Sequence, residues 1–71
     1  MKNIDVEILR KDHGQKFNSL MDRDDCYRLL IDQTLDGAQC QQLDTAIRVG
    51  SKYTYENRFV RFTFNPTPEL H

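Results

Sequence analysis

His13 follows Asp12, and an imidazole beside a carboxylate is a pairing that can move a proton. Adjacent positions do not aim their side chains at each other, and the other histidine, His71, is the last residue. The pair reads as two solvated loop residues. Asp22, Asp24 and Asp25 bring carboxylates close together, as a divalent-cation loop would. Such a loop needs oxygen ligands at alternating positions, then a glycine and a distant Glu. Cys26 stands where the third ligand belongs and no glycine follows, so the acids read as caps for a helix. Cys26 and Cys40 have no CxxC or HxxxH companion, which removes zinc. No glycine-rich phosphate loop or Gly-x-Ser-x-Gly elbow occurs. The chain therefore reads as a non-enzyme, with no catalytic residue, metal or cofactor expected.

Residues suited to recognition are easier to find. Phe59-Val60-Arg61-Phe62 matches the second half of a strand motif that stacks aromatics on RNA bases. Its first half requires basic-Gly-aromatic-small, and Tyr55-Glu56-Asn57-Arg58 stands there, so that reading is set aside. Charge is uneven: Asp22, Asp24, Asp25, Asp32 and Asp36 outweigh Arg23 and Arg28, whereas Arg48, Lys52, Arg58 and Arg61 outweigh Glu56. Complementary charge steers protein association and selects partners. Tyr and Arg are also over-represented where binding energy concentrates. Tyr53, Tyr55, Arg58, Phe59 and Arg61 are therefore the expected partner-binding residues.

These residues must be positioned by a short chain. Ile4, Val6 and Ile8 alternate with Asp5 and Glu7, the period of a strand buried on one face. Arg10 to Gly14 reads as a loop. Phe17, Leu20 and Met21 have helical spacing and suggest a short helical turn, with a break at the acidic cluster. Tyr27, Leu30, Ile31 and Leu35 form a helical stripe. Asp36 and Gln39 suit a capping box that opens a second helix carrying Ala38, Leu43, Ala46 and Ile47, with Cys40 on its flank. Gly50 fits the left-handed residue that ends it. Lys52 to Tyr55 reads as a strand, and Glu56-Asn57 as a tight or slightly longer hairpin turn. Arg58 to Phe64 reads as the central strand. Val60, Phe62 and Phe64 would lie on its buried side, and Phe59, Arg61 and Thr63 on an open one. Asn65-Pro66 would stop it.

The expected fold is α+β in the order β-α-α-β-β. It is a small three-stranded antiparallel sheet with two or three helices packed on one face, the first strand pairing with the last. One domain spans 1–71, with 1–2 and 66–71 read as loose termini. At 71 residues, 30% charged and net charge −1, the chain offers no global field for nucleic acid or membrane. Charged residues interrupt the first strand, which argues against a secretion signal, and free cysteines suit a reducing cytoplasm.

Function follows as an expectation. The chain reads as a small cytoplasmic regulator or inhibitor, of the type phages and mobile elements encode, that occludes a surface of another protein. A homodimer is one way to hide an open sheet face. The alternative is a winged helix-turn-helix DNA-binding transcription regulator. Its second helix would then read bases, with Gln39, Gln42, Arg48, Lys52 and Arg58 as contacts.

Overall fold

A computed structural model of the chain describes residues 3–33 and 37–66. The element order is β1 (Ile4–Arg10), β2 (Gln15–Met21), α1 (Arg23–Gln33), α2 (Gly37–Val49), β3 (Tyr53–Glu56) and β4 (Val60–Pro66). The strands form one antiparallel sheet in the order β2-β1-β4-β3. The α+β class holds, but the sheet has four strands and the order is β-β-α-α-β-β. The expected helical turn at Phe17, Leu20 and Met21 is strand β2.

The reason for that correction lies in β2's position. It is an edge strand with Phe17 on the helix-covered side and Leu20 on the other. Apolar residues on opposite faces of a strand mimic a spacing of three and four, which is also helical. The turn before it closes through a His13 N–H to Arg10 carbonyl bond of 3.2 Å. Gly14 takes φ +65° and returns the chain into β2. A side chain there would meet no neighbouring atom, so what favours glycine is the left-handed backbone alone.

Parity on β1 sorts the core. Ile4, Val6 and Ile8 are buried, and Val6 and Ile8 stand opposite Phe64 and Phe62 of β4. Cys26 and Leu30 of α1, and Leu43 and Ala46 of α2, close over that face. Burying each large side chain contributes about 1.5–3 kcal/mol, so these few residues carry most of the driving force. Of the expected helical stripe, Leu30 is buried and Tyr27 partly so, but Ile31 is exposed. Cys26 takes the inner position instead. On α2, Ala38 is likewise exposed, while Ile47 and Cys40 pack against the core's margin. Leu35 and the Asp36 cap lie outside the described residues.

The helix boundaries follow from local chemistry. Asp22 Oδ1 accepts the Asp25 N–H at 2.8 Å and the Asp22 carbonyl accepts the Cys26 N–H, so the acidic cluster opens α1. At the far end of α2, Gly50 has φ +71°, Ser51 N–H reaches the Ala46 carbonyl at 2.9 Å and Gly50 N–H reaches Ile47. That pair of bonds satisfies carbonyls the helix would otherwise leave unpaired.

Candidate partner-binding surface

Both hairpin turns lie at the same end of the sheet, because β1 pairs with β4 from Ile4↔Pro66 to Arg10↔Val60. The turn after β3 is built by Asn57. Its N–H donates to the Val60 carbonyl at 2.9 Å, while its side-chain Oδ1 accepts the N–H groups of Phe59 (2.7 Å) and Val60 (2.9 Å). This side-chain mimicry of a turn is what Asn does well. Asn57 Nδ2 also reaches Gln33 Oε1 and the Tyr55 hydroxyl, so the turn is tied to the end of α1. Arg58 and Phe59 are left at the apex, and Phe59 is 57% exposed.

The two turns are joined to each other. Lys11 N–H donates to the Phe59 carbonyl at 2.9 Å, and Lys11 Nζ to the Asn57 carbonyl at 3.0 Å. Glu56 is paired with both Lys11 and Arg61, the latter at 2.9 Å. These bonds hold the Glu56 carboxyl below its usual range, with Lys11 the first cause and Arg61 the second. Arg10, Lys11, Lys16, Arg58 and Arg61 lie on these turns and the adjoining strands against Asp12 and Glu56, so this end is basic. His13 lies 3.3 Å from Asp12, both exposed in the same turn.

The expected partner-binding residues divide. Arg58, Phe59 and Arg61 come together here. Phe59 is not on the open sheet face as expected, since β4 starts at Val60 and leaves it in the turn. Tyr53 and Tyr55 stand opposite Phe64 and Phe62, which turns both rings toward the helices. Tyr53 stacks on Phe64 with centroids 6.1 Å apart and donates to Gln39 and, at 3.2 Å, to Gln42. The Tyr55 hydroxyl reaches the Gln33 carbonyl and Asn57, at the rim of the turn end. The open face instead carries Asp5, Glu7, Leu9, Lys16, Asn18, Leu20, Thr54, Glu56, Arg61, Thr63 and Asn65. Its polar groups pair across strands, Asn18 with Asp5 and Lys16 with Glu7. Thr63, central in that row, is buried.

The residues of the DNA reading fall elsewhere. Gln39 and Gln42 are taken up by Tyr53, and Arg48 pairs with Asp44 at 3.0 Å. Lys52 and Arg58 are exposed but lie on opposite sides of β3 in sequence. The β3–β4 hairpin is half of the main sheet rather than a projecting wing.

A shallow groove between α1 and α2 is lined by Tyr27, Cys40, Gln41, Asp44, Thr45 and Arg48. Tyr27 donates to Asp44 at 2.6 Å, and its hydroxyl is pushed up to about 12 by burial and then by that bond. Asp44 is held below its usual value, first by Tyr27 and then by the charges of Arg48 and Arg23. Among the described residues, no cluster of His, Cys, Asp and Glu has metal-binding geometry. No described helix is long and apolar enough to cross a membrane.

Two expectations follow from these titrations. Glu56 and Asp44 are lowered on folding, so the stability they supply is present above their unfolded values and is lost as pH falls through the folded ones. The urea midpoint should therefore fall when pH is taken below about 4, and a Glu56→Gln, Asp44→Asn variant should show a flatter dependence there. Cys26 is fully buried, and its thiol is pushed up to about 12 by burial first and by Asp22 and Asp25 after it. In the folded protein Cys40 should react with a thiol reagent, and Cys26 at least about a hundredfold more slowly until urea opens the core.

Lys11 and Asn57 were not singled out by sequence reasoning. Asn57 was legible only as a turn residue, and nothing in the spacing of Lys11 reveals that it bridges two hairpins. No protein-family model, curated protein or solved structure matches the chain.

Proposed function

We propose that the protein works by binding another protein through its double-turn end, occluding a surface of that partner. The observation that carries this reading is Phe59, half-exposed on a turn held by Asn57 and Lys11, and flanked by Arg58 and Arg61. An aromatic anchor on a rigid turn loses little conformational freedom on binding, and guanidinium groups beside it select an acidic rim. The partner is thus expected to present an apolar pocket bordered by carboxylates. Regulation or inhibition of a host protein, in the manner of small phage-type regulators, is the form of action this size and surface suit.

Affinity capture from a lysate tests the reading. Wild-type protein should retain a protein that an Arg58→Ala, Phe59→Ala variant of unchanged thermal midpoint loses. Retention of every captured protein by the variant would sink it. Capture of nucleic acid alone, confirmed by a mobility shift on random duplexes near 50 mM salt, would replace it with the DNA reading.

A further inference from the structure

We propose that Glu56 is a built-in competitor at the double-turn end: its carboxylate occupies Lys11 and Arg61, and a carboxylate of an acidic partner surface takes its place on binding. This rests on that end being the binding surface. Glu56 stands opposite Arg61 across the β3–β4 pair, and Lys11 reaches it from the other turn. Arg61 donates to it through Nε at 3.2 Å and Nη2 at 2.9 Å, and Lys11 Nζ joins them. All three donors converge on one oxygen, Oε2. Two cations therefore share a single negative charge. An arginine grips a carboxylate best through two parallel bonds, one to each oxygen. Glu56 does not offer that geometry, and an incoming carboxylate can.

The contact is also placed to open. All three residues are exposed, and ion pairs in contact with water hold weakly. Opening it leaves the turns standing. Lys11 keeps its backbone bond to the Phe59 carbonyl, and Asn57 keeps its bonds to the Phe59 and Val60 N–H groups. Exchanging Glu56 for a partner's carboxylate thus frees two cations beside the Phe59 turn without dismantling it. A surface without carboxylates gains nothing from Lys11 or Arg61 while Glu56 is seated, so the contact selects against neutral partners.

The probe is the blocked peptide acetyl-Glu-Glu-Glu-amide, titrated into nitrogen-15-labelled protein and followed by NMR. Salt is set at about 100 mM, where charges more than about 10 Å apart are screened. Glu56→Gln should bind the peptide about fivefold more tightly than wild type, with the Arg61 Nε–H signal moving on titration. Arg61→Ala added to Glu56→Gln should cancel the gain. Glu7→Gln removes the same charge from the same sheet face, where Glu7 pairs with Lys16, and should gain less than about twofold. A Glu56→Gln protein that binds more weakly than wild type, gains no more than Glu7→Gln, or takes up no peptide at about 10 mM overturns the proposal. In each of those cases Phe59→Ala would still lose the captured protein if the double-turn end is the binding surface, so the two claims fail separately.

Discussion

Phe64→Ala should remove most of the protein's stability. Phe64 is fully buried at the centre of the sheet, opposite Val6 of β1 and Tyr53 of β3. Its ring stacks on Tyr53 and meets Phe62 edge-on with centroids 6.2 Å apart. Truncating a buried Phe costs about 3–5 kcal/mol, from lost transfer energy and from the cavity left behind. Domains have only about 5–15 kcal/mol in hand, and a 71-residue chain belongs toward the lower end. The variant should therefore unfold at a much lower urea concentration, or be unfolded in buffer, by far-ultraviolet circular dichroism. Neighbouring layers have little means to fill the space, since the helices above the sheet contribute only Cys26, Leu30, Leu43 and Ala46 as buried residues. A loss under 1 kcal/mol would mean that β4 is not the central packed strand.

The second large effect belongs to binding and leaves the fold alone. Phe59→Ala should weaken the captured partner by about thirtyfold or more, the effect typical of an aromatic hot spot. The same change should alter stability by no more than about 0.5 kcal/mol, because the ring is mostly in solvent and the turn bonds run through Asn57 and the backbone. Phe64 and Phe59 thus separate the two roles of one hairpin. The former carries the fold, and the latter is the proposed anchor for a partner.

Much of the framework was legible in the sequence, for physical reasons that can be named. Ile4, Val6 and Ile8 alternate with acids because β1 has one buried face, and that period survives in the sequence. Val60, Phe62 and Phe64 are detectable on the same ground. Gly50 and the Asp22 cluster report helix ends, because few residue types satisfy unpaired backbone groups there. The pairing of β1 with β4 follows from their shared pattern. β2 was illegible because an edge strand need not hide either face, so Phe17 and Leu20 can sit on opposite sides.

The site was legible in part. Arg58, Phe59 and Arg61 stand out by type and lie within four consecutive positions, at the β3–β4 turn and the start of β4. Which way Tyr53 and Tyr55 face depends on hairpin register, and register depends on loop length. A two-residue Glu56-Asn57 loop would set Tyr55 opposite Arg58 and Tyr53 opposite Val60, on the same side of β4 as Phe62 and Phe64. The observed turn runs through Asn57, Arg58 and Phe59 and pairs Tyr55 with Phe62, a shift of four residues that keeps both rings beneath the helices, so their side was legible from parity and their partners were not. Thr63 shows the same limit from the other side. Nothing in its type reveals that cross-strand neighbours would bury it on the open face.

The most direct measurement is the equilibrium dissociation constant of the captured partner for wild type, Phe59→Ala and Arg58→Ala, each at low and moderate salt. Phe59→Ala should lose about thirtyfold or more at both salts, and Arg58→Ala should show a smaller, salt-sensitive loss. Unchanged affinity in both variants, with their folds intact, would contradict the claim that the double-turn end is the binding site.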